Sequence, residues 1–247
     1  MVGRSQGVGD GQQRPHGLQR PAAVAGCSPP DGAQELYLVR HGSVHHAVDG
    51  PPIGRQNDPS LNEHGRTQAA AVAVRLAEEP ITKVYVSPLR RTAETAAPLL
   101  EVRGETADVL DDLREVELGD WEHGELARRA GRGDPEVTRV MQAQRWDLIP
   151  NAEPAAAFAQ RVARGIAAAA DAVAPGQIAV AFTHSGVIAE ACRQVTGSEG
   201  FAFLTSSNGS VTRLVRMPDG RWVLVAFNET AHLPREWQPG GAGGAVR

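Results

Sequence analysis

The segment "ELYLVRHGSVHH", residues 35–46, passes from an apolar run directly into a basic, histidine-rich one. Residues 36–39 are Leu, Tyr, Leu and Val, with no polar alternation. In a strand successive side chains face opposite sides, so such a run needs apolar cover on both faces. That is the signature of a parallel sheet held between two helical layers. The three histidines behind it, His41, His45 and His46, read as a metal site, a polar loop, or one working histidine with two bystanders. The following VDGPPIG argues for loop, so His41 and His45 share no helical face. A cation would also have to sit beside Arg40 and find further converging ligands. No metal is expected.

Outward from this point, apolar runs and amphipathic segments alternate. Residues 60–79 read as a helix with Ser60 or Asn62 as N-cap and Pro80 as its stop. Residues 81–86 form a second strand, and residues 88–100 a helix entered through Pro88. A brief strand is expected at 109–110, with one or two short helices over 127–145 interrupted at 131–135. An alanine-rich helix over 155–174 precedes a strand at 178–183 and a helix at 187–195. Strands at 211–216 and 222–226 make a hairpin turned at 218–220. The pattern predicts an α/β fold, a three-layer sandwich with a mostly parallel central sheet. Three segments are expected: a disordered tail over 1–33, one domain over 34–237, and a flexible tail over 238–247. The first tail is either a docking arm or simply unstructured.

Composition narrows the function. The chain has 247 residues, 22% charged and 41% hydrophobic, with a net charge of −4. Nucleic-acid binders usually carry a basic stripe, so nucleic acid is not an expected partner. No apolar run is long enough for a bilayer, and the N-terminus lacks the apolar centre of a secretion signal, so a cytoplasmic protein without membrane attachment is expected. Lys83 is the only lysine, so arginine supplies nearly all positive charge. Two cysteines, Cys27 and Cys192, offer no zinc pattern.

Ligands of open α/β sheets gather beyond the carboxyl ends of the strands. Arg40-His41-Gly42 follows the first strand, Ser87-Pro88-Leu89-Arg90-Arg91 the second, and His184-Ser185-Gly186 the strand at 178–183. The acidic "DDLREVELGDWE" follows the brief strand. Each cluster alone is a weak signal; four in order, each behind its own strand, are not. A neutral imidazole can take up a phosphoryl group, guanidinium forks can hold its oxygens, and a carboxylic acid can protonate the leaving alkoxide.

These residues resemble the histidine phosphatase superfamily, the phosphoglycerate-mutase-like family, over most of the chain. "LVRHG" is similar to its opening motif, which implies His41 as phosphorylated nucleophile and Arg40 as phosphate ligand. "GRQNDPSLNEHGRTQA" resembles its second segment, and "SPLRRTAETA" implies Arg91, not Arg90, as the pocket arginine. "LREVELGDWE" implies Glu115 as proton donor, and "FTHSG" implies His184 as the second phosphate-binding histidine. Ser43 stands where the family often has Glu or Gln, and is a further candidate substrate contact. Ala152-Glu153-Pro154 replaces a glycine-glutamate-serine element, with Glu153 kept.

The resemblance implies a phosphoglycerate-mutase-like fold and a metal-independent phosphatase of a small phosphorylated substrate, with no cofactor and a possible homodimer. Dedicated mutases of the family carry longer insertions between the two later motifs, whereas His184 follows Glu115 by 69 positions here. Mutase-type phosphotransfer and a phospho-ligand-binding protein with little turnover are the alternatives.

Overall fold

The double-sided apolar run becomes β1 (Gln34–Arg40), one of the two central strands, paired in parallel with β4 (Ile178–Thr183) on one side and antiparallel with β5 (Val211–Arg216) on the other. The computed structural model describes residues 30–45, 54 and 58–234. Its six-stranded sheet has the order β3-β2-β4-β1-β5-β6, with β2 at Ile81–Val86, β3 at Asp108–Val109 and β6 at Trp222–Glu229. β1, β2, β3 and β4 run in parallel, and the β5–β6 hairpin closes one edge antiparallel to β1.

Side-chain alternation divides the core as the sequence requires. Leu36 and Leu38 of β1, with Ala179 and Ala181 of β4, pack against α5 (Ala155–Asp171) and α6 (Ser185–Thr196) through Val162, Ile166, Val187 and Ile188. Tyr37 and Val39, with Val180 and Phe182, pack against α1 (Glu63–Leu76) and α2 (Arg90–Arg103) through Val72, Leu76, Ala96 and Leu99. The sandwich therefore has three layers, and β4 is buried along its whole length.

Element ends differ from the sequence reading for identifiable reasons. Asn62, not Ser60, caps α1, its side chain accepting from the Gly65 amide at 2.8 Å. α2 continues past Leu100 because Gly104, in the left-handed conformation, supplies the cap one turn later. The expected break near residue 133 separates α3 (Glu125–Gly131) from α4 (Pro135–Ala143), with Asp134 as N-cap and Pro135 in the first turn. Ala33, the last residue of the expected tail, is buried, and its carbonyl accepts from the Gly176 amide, whereas residues 30–32 are exposed. The rest of that tail, His46, and the C-terminal tail lie outside the described residues.

Two further shifts position the site. Arg40 is the last residue of β1, paired with Thr183, so it is held by the sheet itself. α6 starts at Ser185 rather than Val187, so β4 passes into a helix with only His184 between them.

Candidate active site

Because β1, β2, β3 and β4 are parallel, the four polar clusters leave the sheet at one end. The His41 and His184 rings lie 5.3 Å apart between centroids, inclined at 59°. Both are buried, as are Arg91 and Glu115. Arg90, by contrast, lies on the exposed face of α2 and pairs with Glu94 at 2.5 Å. One residue of helix rotation separates a buried cation from a solvated one.

His41 sits where its backbone is held at several points. Its amide donates to the Thr183 carbonyl at 2.9 Å, and its carbonyl accepts from the Asn208 side-chain amide at 2.9 Å. The Gly42 amide donates to Thr95 Oγ1 at 3.0 Å, and the Ser43 amide to Gln68 Oε1 at 2.7 Å. Gly42 permits this packing: a Cβ there would lie 2.6 Å from the Gly65 carbonyl oxygen. The ring Nδ1–H donates to the Gly42 carbonyl at 2.8 Å, which leaves the lone pair of the neutral imidazole on Nε2. Burial, then the charges of Arg91 and Arg40, hold the His41 pKa well below its ordinary 6.5, so the ring is neutral at pH 7.

His184 is neutral for the same reasons, burial first and then Arg91. Its tautomer follows from three hydroxyl and amide contacts. The Thr92 hydroxyl donates to a carbonyl, Leu89 O at 2.7 Å or Ser87 O at 3.0 Å. The Leu89 amide donates to Ser87 Oγ at 3.2 Å. The Ser87 proton then has two acceptors in reach, Thr92 Oγ1 at 3.1 Å and His184 Nε2 at 2.7 Å; the shorter contact, which matches an O–H donor better than an N–H donor, assigns it to His184. His184 therefore carries its own proton on Nδ1, which is buried without a partner among the described residues. Nε of Arg40 is a second buried donor in that condition, while an Arg40 terminal nitrogen donates to the Ser206 carbonyl. Burial lowers the Arg40 pKa to about 10, and it remains a cation.

Arg91 donates to the Gly54 carbonyl at 3.2 Å and lies 3.8 Å from Asp58. Glu115 is placed by two amides: Val116 N–H donates to Oε1 at 2.9 Å and Gly186 N–H to Oε2 at 3.3 Å. The second amide belongs to the first turn of α6, whose N–H groups have no partner within the helix. Ser43 Oγ accepts from the Asn62 side chain at 2.9 Å and keeps its own proton to donate. His45 is exposed, and among the described residues no group of His, Cys, Asp and Glu could hold a metal ion.

Several residues enter the site's support that the motif pattern assigns no role. Thr95 and Gln68 stand inside the quoted motifs, so their positions were visible but not their contacts. Asn208 comes from late in the chain, where no local pattern marks it, and His232 stands where the resembled family often has a histidine, with no role that the sequence assigns. His232 Nε2 donates to the Gly209 carbonyl at 2.9 Å, and the Gly209 amide donates to the Arg40 carbonyl at 3.0 Å. A cavity of about 460 Å³ opens beside Val116, Glu153, Phe158, Gly186, Glu190 and Phe201; Arg40, His41, Arg91 and His184 do not line it.

A parallel sheet that delivers two neutral histidines, the buried Arg91, the half-buried Arg40 and a carboxylate to one rim defines a phosphohydrolase-like class of α/β protein. The chain belongs to the histidine phosphatase superfamily (branch 1), whose model matches residues 36–230. It is 31% identical over 207 residues to phosphoglycerate mutase-like protein 4 of Arabidopsis thaliana, spanning 81% of this chain and 86% of that one. Over 157 residues it is 33% identical to the adenosylcobalamin/alpha-ribazole phosphatase of Salmonella typhimurium, 62% of this chain and 75% of the other. Among solved structures it resembles a mycobacterial glucosyl-3-phosphoglycerate phosphatase, with a TM-score of 0.64 and 27% identity over 80% of this chain and 100% of that one.

Proposed function

We propose that the protein is a phosphatase that hydrolyses small phosphomonoesters through a phosphohistidine on His41. The observation that carries this reading is the pair of buried donors unmatched among the described residues, His184 Nδ1 and Arg40 Nε, beside a neutral imidazole whose lone pair is on Nε2. Buried donors without an acceptor are costly, and a phosphoryl group satisfies them.

Nε2 of His41 attacks phosphorus as the ester P–O bond breaks. Arg40, Arg91 and His184 hold the peripheral oxygens, and the Ser43 hydroxyl is a further donor to substrate. Glu115 gives a proton to the leaving alkoxide, then takes one from the water that attacks the phosphohistidine. Each role uses a group already fixed by hydrogen bonds, so little reorganisation opposes the reaction. A neutral His41 matters because a protonated ring has no lone pair to offer.

Phosphatase rather than mutase chemistry is favoured by the short separation of Glu115 and His184 and by relatives named as phosphatases. Those relatives' names carry different organic groups, so the proposal extends only to a small phosphorylated substrate. A cytoplasmic location, the absence of nucleic-acid and membrane partners, and a possible homodimer belong to the same reading. No helix among the described residues is long and apolar enough to cross a membrane.

The test is phosphate release from a panel of sugar phosphates, nucleotides, phosphoglycerates and phosphoamino acids. At least one should be hydrolysed, and acid-labile phosphate should be trapped on the wild-type protein by rapid quench. A folded His41→Ala protein that kept more than a trace of activity would sink the proposal. Isomerised product without phosphate release would point to a mutase instead.

A further inference from the structure

We propose that Arg161, paired with Glu153, is the positioning unit for the proton donor, acting by fixing the backbone on both sides of Glu115. The proposal rests on the reading of Glu115 given above.

Arg161 lies on α5 and is 2% exposed. All five of its donors have acceptors. Nε and one terminal nitrogen form a fork on the Glu153 carboxylate, at 2.6 and 2.7 Å. The other contacts are the main-chain carbonyls of Asp112, Arg114 and Glu115, at 3.0, 2.6 and 3.0 Å. Thr183 Oγ1 takes the intervening Leu113 carbonyl at 2.8 Å. Four consecutive carbonyls of the segment that carries Glu115 are thus held by two side chains.

Glu153 continues the clamp past Glu115. Its own amide donates to the Glu117 carbonyl at 2.9 Å, beside the carboxylate that binds Arg161. The clamped segment runs from within the 3-10 turn at Asp111–Leu113 towards the one at Gly119–Trp121, and among the described residues no strand or α-helix backbone pairs its carbonyls. Arg161 stands in for the missing ladder. Stability alone is a poor reason for such a pair, because an apolar pair of similar size can do as well in a core. A planar fork that reads three carbonyls at once has no apolar substitute, and lysine, a compact point charge, does not reproduce it.

This arrangement predicts a selective defect. A displaced Glu115 should slow the transfer of phosphate from an alkyl ester, whose alkoxide needs a proton. It should matter little for para-nitrophenyl phosphate, whose leaving group is stable as an anion. A misplacement of about 1 Å costs about 10²-fold in favourable cases.

The experiment measures kcat/KM of Arg161→Lys, Glu153→Gln and Glu115→Gln on para-nitrophenyl phosphate and on the best alkyl phosphate from the panel. Circular dichroism and thermal melts accompany each variant. Gln160→Ala, an exposed residue on the same helix, is the control. The expected result is a loss of about 10²-fold on the alkyl ester for Arg161→Lys, with para-nitrophenyl phosphate little changed and Glu115→Gln showing the same asymmetry. Equal losses on both substrates, or none, with Glu115→Gln still asymmetric, would overturn the clamp and leave the reading of Glu115 intact. A Glu115→Gln protein that lost both substrates alike would remove that reading and the clamp with it. Should Arg161→Lys not fold, Glu153→Gln carries the test; if neither folds, Arg161 serves stability alone and the proposal fails.

Discussion

A single position of helix rotation makes Arg91 part of the pocket and Arg90 part of the surface. Arg91 is buried with its guanidinium near Gly54 and Asp58, whereas the Arg90 side chain is 62% exposed. Arg91→Ala should lower kcat/KM by about 10²-fold or more, the cost of losing a preorganised donor to a transferring group, and Arg90→Ala should change it little. Steady-state kinetics on one substrate decide this, and equal effects would refute the assignment. That choice is legible in the sequence through the resemblance, because the family's motif counted from Ser87 places its pocket arginine at Arg91. The state of His184 is not. It depends on which hydroxyl proton is free, and that depends on Thr92 and Leu89 meeting Ser87 in space. Ser87→Ala should release the tautomer constraint, visible as a change in the His184 ring ¹⁵N shifts, and should weaken phosphate binding. Unchanged shifts would mean that Ser87 does not set the proton's position.

At the level of elements, the junction of β4 and α6 matters most. A strand that enters a helix through one residue leaves first-turn amides at the rim, and Gly186 gives one of them to Glu115. Gly186 also leaves room for that carboxylate: a Cβ there would lie 2.4 Å from Glu115 Oε1. The backbone would tolerate alanine, so Gly186→Ala should fold and melt close to wild type. It should push the Glu115 side chain aside and lower kcat/KM on alkyl esters. A Gly186→Ala protein with full activity would show that Glu115 works from another position. The helix reading of 187–195 begins two residues late because Ser185 and Gly186 have weak helical preference and read as loop; the sheet–helix packing overrides that preference.

For the whole molecule, burying two neutral histidines couples stability to acidity. In the unfolded chain each titrates near 6.5, while in the fold both are held well below that value, first by burial and then by neighbouring arginines. As pH falls below about 6.5 the unfolded state takes up protons that the native state refuses, so stability declines. The contribution is fully present above that pH. The slope approaches about 1.4 kcal/mol per pH unit for each histidine until its folded-state pKa is reached. Urea midpoints at pH 7.5, 6.5 and 5.5 measure it. His41→Asn and His184→Asn should each flatten the decline; an unaltered slope would assign the acid sensitivity elsewhere. The same burial keeps His41, the proposed nucleophile, neutral, so on that reading activity and stability depend on one feature of the fold.

The sequence by itself determined the layered α/β architecture, since wholly apolar strands need cover on both faces. It also determined which residues reach the rim, since parallel strands deliver their following residues to one end. Those features depend on local periodicity and on order along the chain. Only the tertiary structure decided that Arg161 and Glu153 hold the Glu115 segment, that Thr95, Gln68, Asn208 and His232 support His41, and which nitrogen of His184 carries its proton. Each of these joins residues far apart in sequence, through hydrogen bonds whose partners are set by packing and leave no periodic trace in the chain.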